Sequence, residues 1–122
     1  MCNNVGIATE VEKRLSLHIH DTPTDNYDRT HAIKQRAVWL GCKYAVGQML
    51  TQEPRAPNAP GDRTRGWIIN TASMLGLIGL ANGPCYVPAK CAVVGITRQV
   101  VIDYTKDRIH CNALCPGLSR VP

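Results

Sequence analysis

The sequence lacks any run of about eighteen apolar residues, so no membrane span is expected. The stretch Met1 to Gly6 has neither a basic n-region nor an apolar h-region, so no secretory signal is expected either. No Cys-x-x-Cys pair occurs among Cys2, Cys42, Cys85, Cys91, Cys111 and Cys115. The thiols are therefore expected to be reduced, in a cytoplasmic protein, and most of them read as small buried hydrophobes. His110 with Cys111 and Cys115 does not have the spacing of a zinc site, and no metal is expected. Aromatic residues make up 5% of the chain, and the net charge of +5 is scattered. Basic residues gather only as Arg55, Arg63 and Arg65 in a Pro-rich loop. Without aromatic platforms or a basic stripe, a nucleic-acid partner is not expected.

What is present is a globular balance: 44% hydrophobic and 19% charged residues in 122 positions. That length fits one domain or part of one, with little surplus stability. Met1 to Ile7 reads as a strand tail and Ala8 to Asp21 as a loop. Thr22-Pro23-Thr24-Asp25 reads as a helix start, with Thr22 as cap, Pro23 at the first helical position and Asp25 completing an approximate capping box.

Helical pattern then runs to about Leu50. One face holds Ile33, Ala37, Leu40 and Tyr44, and another holds Val38, Cys42, Ala45 and Met49. A helix apolar on two faces is covered on two sides. Residues 51–66 contain Pro54, Pro57, Pro60 and Gly61 and read as a surface loop, long for a compact domain.

Trp67-Ile68-Ile69-Asn70 is a short apolar run of buried-strand type. A Gly-rich loop follows from Met74 to Pro84. A second helix spans about Tyr86 to Lys106, with one stripe at Val93, Ile96, Val100 and Tyr104 and a second at Val87, Cys91 and Val94. Ile109 to Leu114 reads as a third strand, ended by Pro116-Gly117. Alternating strands and helices imply an α/β fold with a parallel sheet and right-handed crossovers.

Three residues carry chemistry. Ser73 follows a buried strand, where open α/β sheets place ligands. Tyr86 comes thirteen residues later, and Lys90 four residues after that. Positions i and i+4 of a helix share a face, so Tyr86 and Lys90 can address one ligand. Y-x-x-x-K alone is common on helices, and its ordinary meaning is a packed tyrosine beside a solvated lysine.

The surrounding order of motifs is more specific. Asn4-Val5-Gly6, then Ile69-Asn70-Thr71-Ala72-Ser73, then Tyr86-Val87-Pro88-Ala89-Lys90, then Arg108 to Gly117 resemble, in family order, the Asn-Ala-Gly, serine-strand, Y-x-x-x-K and R-I-x-x-N-x-x-x-P-G segments of the short-chain dehydrogenase/reductases. The resemblance covers nearly the whole chain. It implies a partial Rossmann-type doubly wound parallel sheet, made of the last strands and helices of that fold. It further implies hydride transfer between NAD or NADP and a ketone or secondary alcohol of a small molecule, in a setting such as biosynthesis.

By the same resemblance, Ser73 holds the substrate oxygen, Tyr86 is the acid/base, and Lys90 supports the phenolate and bonds the nicotinamide ribose. Asn4, Gly6, Tyr86, Lys90, Pro116 and Gly117 are the expected cofactor-binding residues. A free tyrosine titrates near about pH 10, so such a base needs positive charge beside it.

The sequence also departs from the family. No G-x-x-x-G-x-G turn occurs, and the chain stops at Pro122. Residues 1–122 are therefore expected to be an incomplete catalytic domain, truncated at both ends. Unpaired sheet edge and uncovered apolar surface are expected to make it marginal or aggregation-prone. Lys34 stands where the family usually has an Asn in a proton relay. It either adds positive charge near Lys90 or snorkels outward. Reduced turnover is expected, restored by Asn at position 34. Val5 and Val121 replace a usual alanine and threonine, and Pro88 is tolerable only in a first helical turn. The alternative is a non-catalytic remnant that docks to an intact relative, or to a second copy, through its two helices.

Overall fold

The computed structural model describes residues 1–4, 17–54 and 63–117. Strand β1 is Cys2–Asn3, β2 is Gly66–Thr71 and β3 is Ile109–Leu114. They form a parallel sheet in the order β1-β2-β3. Between β1 and β2 run helix α1 (Thr24–His31), a π-helical stretch (Ala32–Arg36) and helix α2 (Ala37–Thr51), end to end. Helix α3 (Tyr86–Tyr104) joins β2 to β3. The fold is thus α/β, with three parallel strands and helical crossovers.

Alternation along the strands decides what the helices cover. In β2, Ile68 and Asn70 are fully buried, while Trp67, next to Ile68, is 42% exposed. In β3, Ile109 and Cys111 are buried and His110 is exposed. Apolar composition alone suggested a strand buried on both faces. The structure corrects this: Trp67 stacks on His110 at 6.1 Å on the open face. The same alternation puts His110 on the opposite face from Cys111, so the two do not converge on one ion.

The core lies under the other face. Val38, Cys42 and Val46 from α2 meet Val93, Val94 and Val100 from α3 over Ile68, Ile109 and Cys111. The stripe expected at Ile33, Ala37, Leu40 and Tyr44 is not the inward one, and Tyr44 is 69% exposed. The other expected face is the inward one: Val38 and Cys42 are buried with Ala45 and Met49 packed beside them, and the buried line Thr30, Lys34, Val38, Cys42 and Val46 runs at steps of four residues. In a regular α-helix a four-residue step drifts by about 40°. The wider turns of the π stretch take up part of that drift and keep the line on the core.

The first helix begins differently from the expectation. Pro23 is the cap and no side chain caps the helix, because Thr22 Oγ1 donates to the His18 carbonyl at 2.8 Å instead. Pro88 does fall in the first turn of α3. Of the cysteines, Cys42, Cys85 and Cys111 are buried, whereas Cys2 and Cys91 are exposed. The expected strand residues Val5, Gly6 and Ile7, the loop residues 55–62 and Val121 lie outside the described residues.

Candidate active site

The site forms where β2 and β3 end. The ladder continues beyond the strands: Ala72 N donates to Leu114 O at 2.7 Å, and Met74 N to Pro116 O at 2.9 Å. These two bonds tie the segment holding Ser73 to the turn holding Pro116 and Gly117. Ser73 then starts a 3₁₀ turn, Met74–Gly76, and its Oγ accepts the Leu75 N–H at 3.2 Å. That turn lies against α3 closely enough that a Cβ at Gly76 would stand 2.8 Å from the Lys90 carbonyl oxygen.

The chain returns through Asn82, in a left-handed conformation at φ 59, and enters α3 at Tyr86. Tyr86 and Lys90 are one turn apart on that helix. Lys90 is 6% exposed. Its Nζ donates to the Thr71 carbonyl at 2.8 Å, at the end of β2. An ammonium buried this far needs such an acceptor. Its Nζ also lies 5.9 Å from the centre of the Tyr86 ring.

Ser73, Tyr86, Lys90, Pro116 and Gly117 line one cavity of about 450 Å³. Five of the seven residues expected from the sequence therefore share one space. Asn4 follows β1, is exposed and is not among the lining residues. Gly6 lies outside the described residues. The remaining walls include Met74, Leu75, Leu80 and Val87, so the space is apolar with a few convergent polar groups.

Lys34 is the residue whose position the sequence left open between two readings. It does not snorkel: it is 4% exposed, and its Nζ stands 4.6 Å from the centre of the Tyr86 ring. Burial, and after it the Lys34 charge, push the Lys90 ammonium down to about 8, with the Cys115 sulfur acting in the opposite sense.

A polar cluster beneath the site escaped the sequence reading. Asn70 Nδ2 donates to Thr97 Oγ1 at 3.0 Å and reaches the sulfurs of Cys42 and Cys111 at 3.5 Å each. The hydrogen bond between the two thiols makes Cys42 the more acidic and raises Cys111. An Asn at a core-facing strand position was the available signal, since such a side chain must find partners.

The family model for enoyl-(acyl carrier protein) reductase matches residues 1–122. The chain is 32% identical over 122 residues to 2-(R)-hydroxypropyl-CoM dehydrogenase of Xanthobacter autotrophicus, covering 100% of this chain and 43% of that one. It is 51% identical over 106 residues to 2,5-dichloro-2,5-cyclohexadiene-1,4-diol dehydrogenase of Sphingobium indicum, covering 87% of this chain and 38% of that one. Among solved structures, ElxO with NADP bound superposes with a TM-score of 0.77 at 25% identity, over 96% of this chain and 41% of that one. The chain thus spans about two fifths of the length of the relatives it matches.

Proposed function

The chain belongs to the short-chain dehydrogenase/reductase family, and from that premise we propose that it carries the proton-transfer half of an NAD(P)-dependent oxidoreductase acting on a ketone or secondary alcohol of a small molecule. The observation that supports this reading is the single cavity lined by Ser73, Tyr86 and Lys90 together.

The donor set suits the nicotinamide end of NAD or NADP. Apolar walls at Met74 and Val87 fit a flat ring, and the Lys90 ammonium fits ribose hydroxyls. Lys90 and the Pro116–Gly117 turn would hold the cofactor there, and the family resemblance assigns Asn4 and Gly6 to the same task. A nicotinamide held by these residues would supply the hydride chemistry.

The chain's own residues handle the oxygen. Ser73 Oγ already accepts the Leu75 N–H, so its hydroxyl proton remains to donate to a carbonyl oxygen. That hydrogen bond orients the carbonyl and stabilises charge developing on it. Tyr86 passes a proton to that oxygen in reduction and takes it back in oxidation. Lys90, tethered to the Thr71 carbonyl, keeps a cation at the same end of the cavity.

The test is a chimera in which this chain replaces the matching segment of the Sphingobium enzyme. Oxidation of NADH or NADPH is followed with small ketones as substrates. Tyr86→Phe is expected to lower turnover by about 10²–10⁴-fold without loss of folding. An undiminished rate in that variant would end the reading.

A second reading has one observation in its favour. Between α2 and α3 lies a groove of about 530 Å³, lined by Trp39, Val46, Leu50, Ile96, Val100 and Tyr104. A chain that docks to an intact relative, or to a second copy, through these helices would bury that groove. Sedimentation with a relative would show a complex lost on Trp39→Asp.

A further inference from the structure

Two buried thiols share one amide. Asn70 Nδ2 stands 3.5 Å from the Cys42 sulfur on α2 and 3.5 Å from the Cys111 sulfur on β3. The thiols are also hydrogen-bonded to each other, so their sulfurs are in contact. Cys42 and Cys111 are 3% and 5% exposed. Neither lines the cavity that holds Ser73, Tyr86 and Lys90.

The two sulfurs differ in reach and in chemistry. Cys42 borders the groove of about 530 Å³ between α2 and α3, and Cys111 does not. A small molecule in that groove therefore meets Cys42 first, with Lys43 on the same wall. Hydrogen-bond donors converge on the Cys42 sulfur: the Cys111 thiol, the Asn70 amide and, at 3.8 Å, the Asn3 amide. Donors aimed at a sulfur favour its thiolate, the nucleophilic form. The Cys111 bond lowers the Cys42 thiol, burial opposes it and the Asn70 amide adds to the lowering, while Cys111 is raised. Cysteines that serve only as small hydrophobes need neither an approach from solvent nor convergent donors.

We propose that Cys42 and Cys111 form an oxidisable dithiol, in which a small hydroperoxide entering the groove oxidises Cys42 and Cys111 resolves it to a disulfide. The proposal is independent of the oxidoreductase reading, since neither a cofactor nor a ketone enters it.

The electrons balance in two steps. The Cys42 thiolate attacks the terminal oxygen of the hydroperoxide, the O–O bond breaks, and the departing oxygen takes a proton from solvent. Cys42 is then a sulfenic acid. The Cys111 sulfur attacks the Cys42 sulfur, the S–O bond breaks, and hydroxide leaves as water with the Cys111 proton. Two thiols and one hydroperoxide give one disulfide, one water and one alcohol, or two waters when the oxidant is hydrogen peroxide. Each sulfur gives up one electron, and the peroxide takes both. The new bond ties α2 to β3 beside Asn70, whose neighbour Thr71 holds Lys90 through its carbonyl.

The experiment treats the folded 122-residue chain with dilute hydrogen peroxide near neutrality, caps free thiols with iodoacetamide and maps each cysteine by peptide mass. A Cys42–Cys111 linked peptide, released by dithiothreitol, is expected. Cys42 should react at least about tenfold faster than Cys91, which is exposed but donates its thiol to the Leu75 carbonyl. In Cys111→Ser the reaction is expected to stop at the Cys42 sulfenic acid, which dimedone captures. In Cys42→Ser, Cys111 is expected to keep its free thiol. The parent chain unfolded in urea, where groove and donors are gone, is expected to lose the preference for this pair, a comparison that needs no variant to fold. Oxidation of Cys2 or Cys91 with Cys42 and Cys111 left free in the folded chain would overturn the proposal. So would equal linkage of the pair in folded and unfolded chains, or a folded Cys111→Ser variant whose Cys42 takes no dimedone.

Discussion

Asn3 donates its side-chain amide to Asn70 Oδ1 at 2.7 Å across β1 and β2, and both side chains are buried. Asn70 in turn donates to Thr97 Oγ1 on α3, and Thr97 Oγ1 donates to the Val93 carbonyl at 2.9 Å. One polar chain thus runs from the first strand through the second into the helix that carries Tyr86 and Lys90. Asn70→Leu is expected to leave the Asn3 amide without its acceptor in a dry setting. The variant should lose roughly 1–3 kcal/mol in urea denaturation, the cost of one such group left unsatisfied. A loss below about 0.5 kcal/mol would mean the cluster is not a structural tie.

Close approach gives a second prediction. A Cβ at Gly76 would stand 2.8 Å from the Lys90 carbonyl oxygen, a backbone atom that cannot swing aside. Gly76→Ala is expected to push the 3₁₀ turn off α3 and cost about 1–3 kcal/mol. At Gly41 the obstacle is the Asn3 side-chain oxygen, so Gly41→Ala is expected to break the Asn3–Asn70 hydrogen bond. Thermal denaturation of both variants, with Gly47→Ala as a control at an open position, checks the pair.

The pH dependence of stability has a definite sign. Lys90 is pushed from 10.5 to about 8 in the folded chain. Between those values the unfolded chain binds the extra proton, so stability rises with pH through that window and the penalty is full below it. Lys90→Met removes a buried ammonium. It is expected to gain roughly 1–3 kcal/mol over the parent at pH 7 and to show no such gain near pH 10.5. Urea denaturation of parent and variant at both pH values measures the difference.

Association of the chain should follow its open sheet face. Trp67 and Leu114 are 42% and 54% exposed on neighbouring strands. Apolar residues grouped in this way mark a surface that seeks cover. Trp67→Ser with Leu114→Ser is expected to shift sedimentation toward smaller species and to lower the binding of an apolar dye. An unchanged sedimentation profile would move the cause elsewhere, such as the groove between α2 and α3.

Much of this architecture was legible in the residues. β3 was read at Ile109 to Leu114, where it lies, and the second helix within two residues at its far end. Four-residue helical spacing put Tyr86 and Lys90 on one face, and the resemblance to the short-chain dehydrogenase/reductases joined Ser73 to them; the three line one cavity. Other features were hidden for physical reasons. Of the two apolar faces read on the first helix, the one through Val38, Cys42, Ala45 and Met49 meets the core, while the one through Leu40 and Tyr44 does not, since pattern alone does not say which face the sheet covers. Trp67 read as core because its composition is apolar, while its burial depends on what lies over that face of the sheet. Thr22 read as a cap, but a nearer carbonyl at His18 took its hydroxyl. Lys34 had two plausible destinations, and only packing could choose between them.

The π-helical turn at Ala32–Arg36 places a lever of one residue beside the chemistry. Such a turn differs from its α-helical counterpart by a single inserted amino acid. Deleting one residue there would rewind the backbone and swing Lys34 by about 100° relative to α2. Tyr86, Lys90 and Ser73 would all keep their identities while the neighbouring charge departed. A change of three nucleotides, upstream of every residue that touches the cavity, could therefore retune the site.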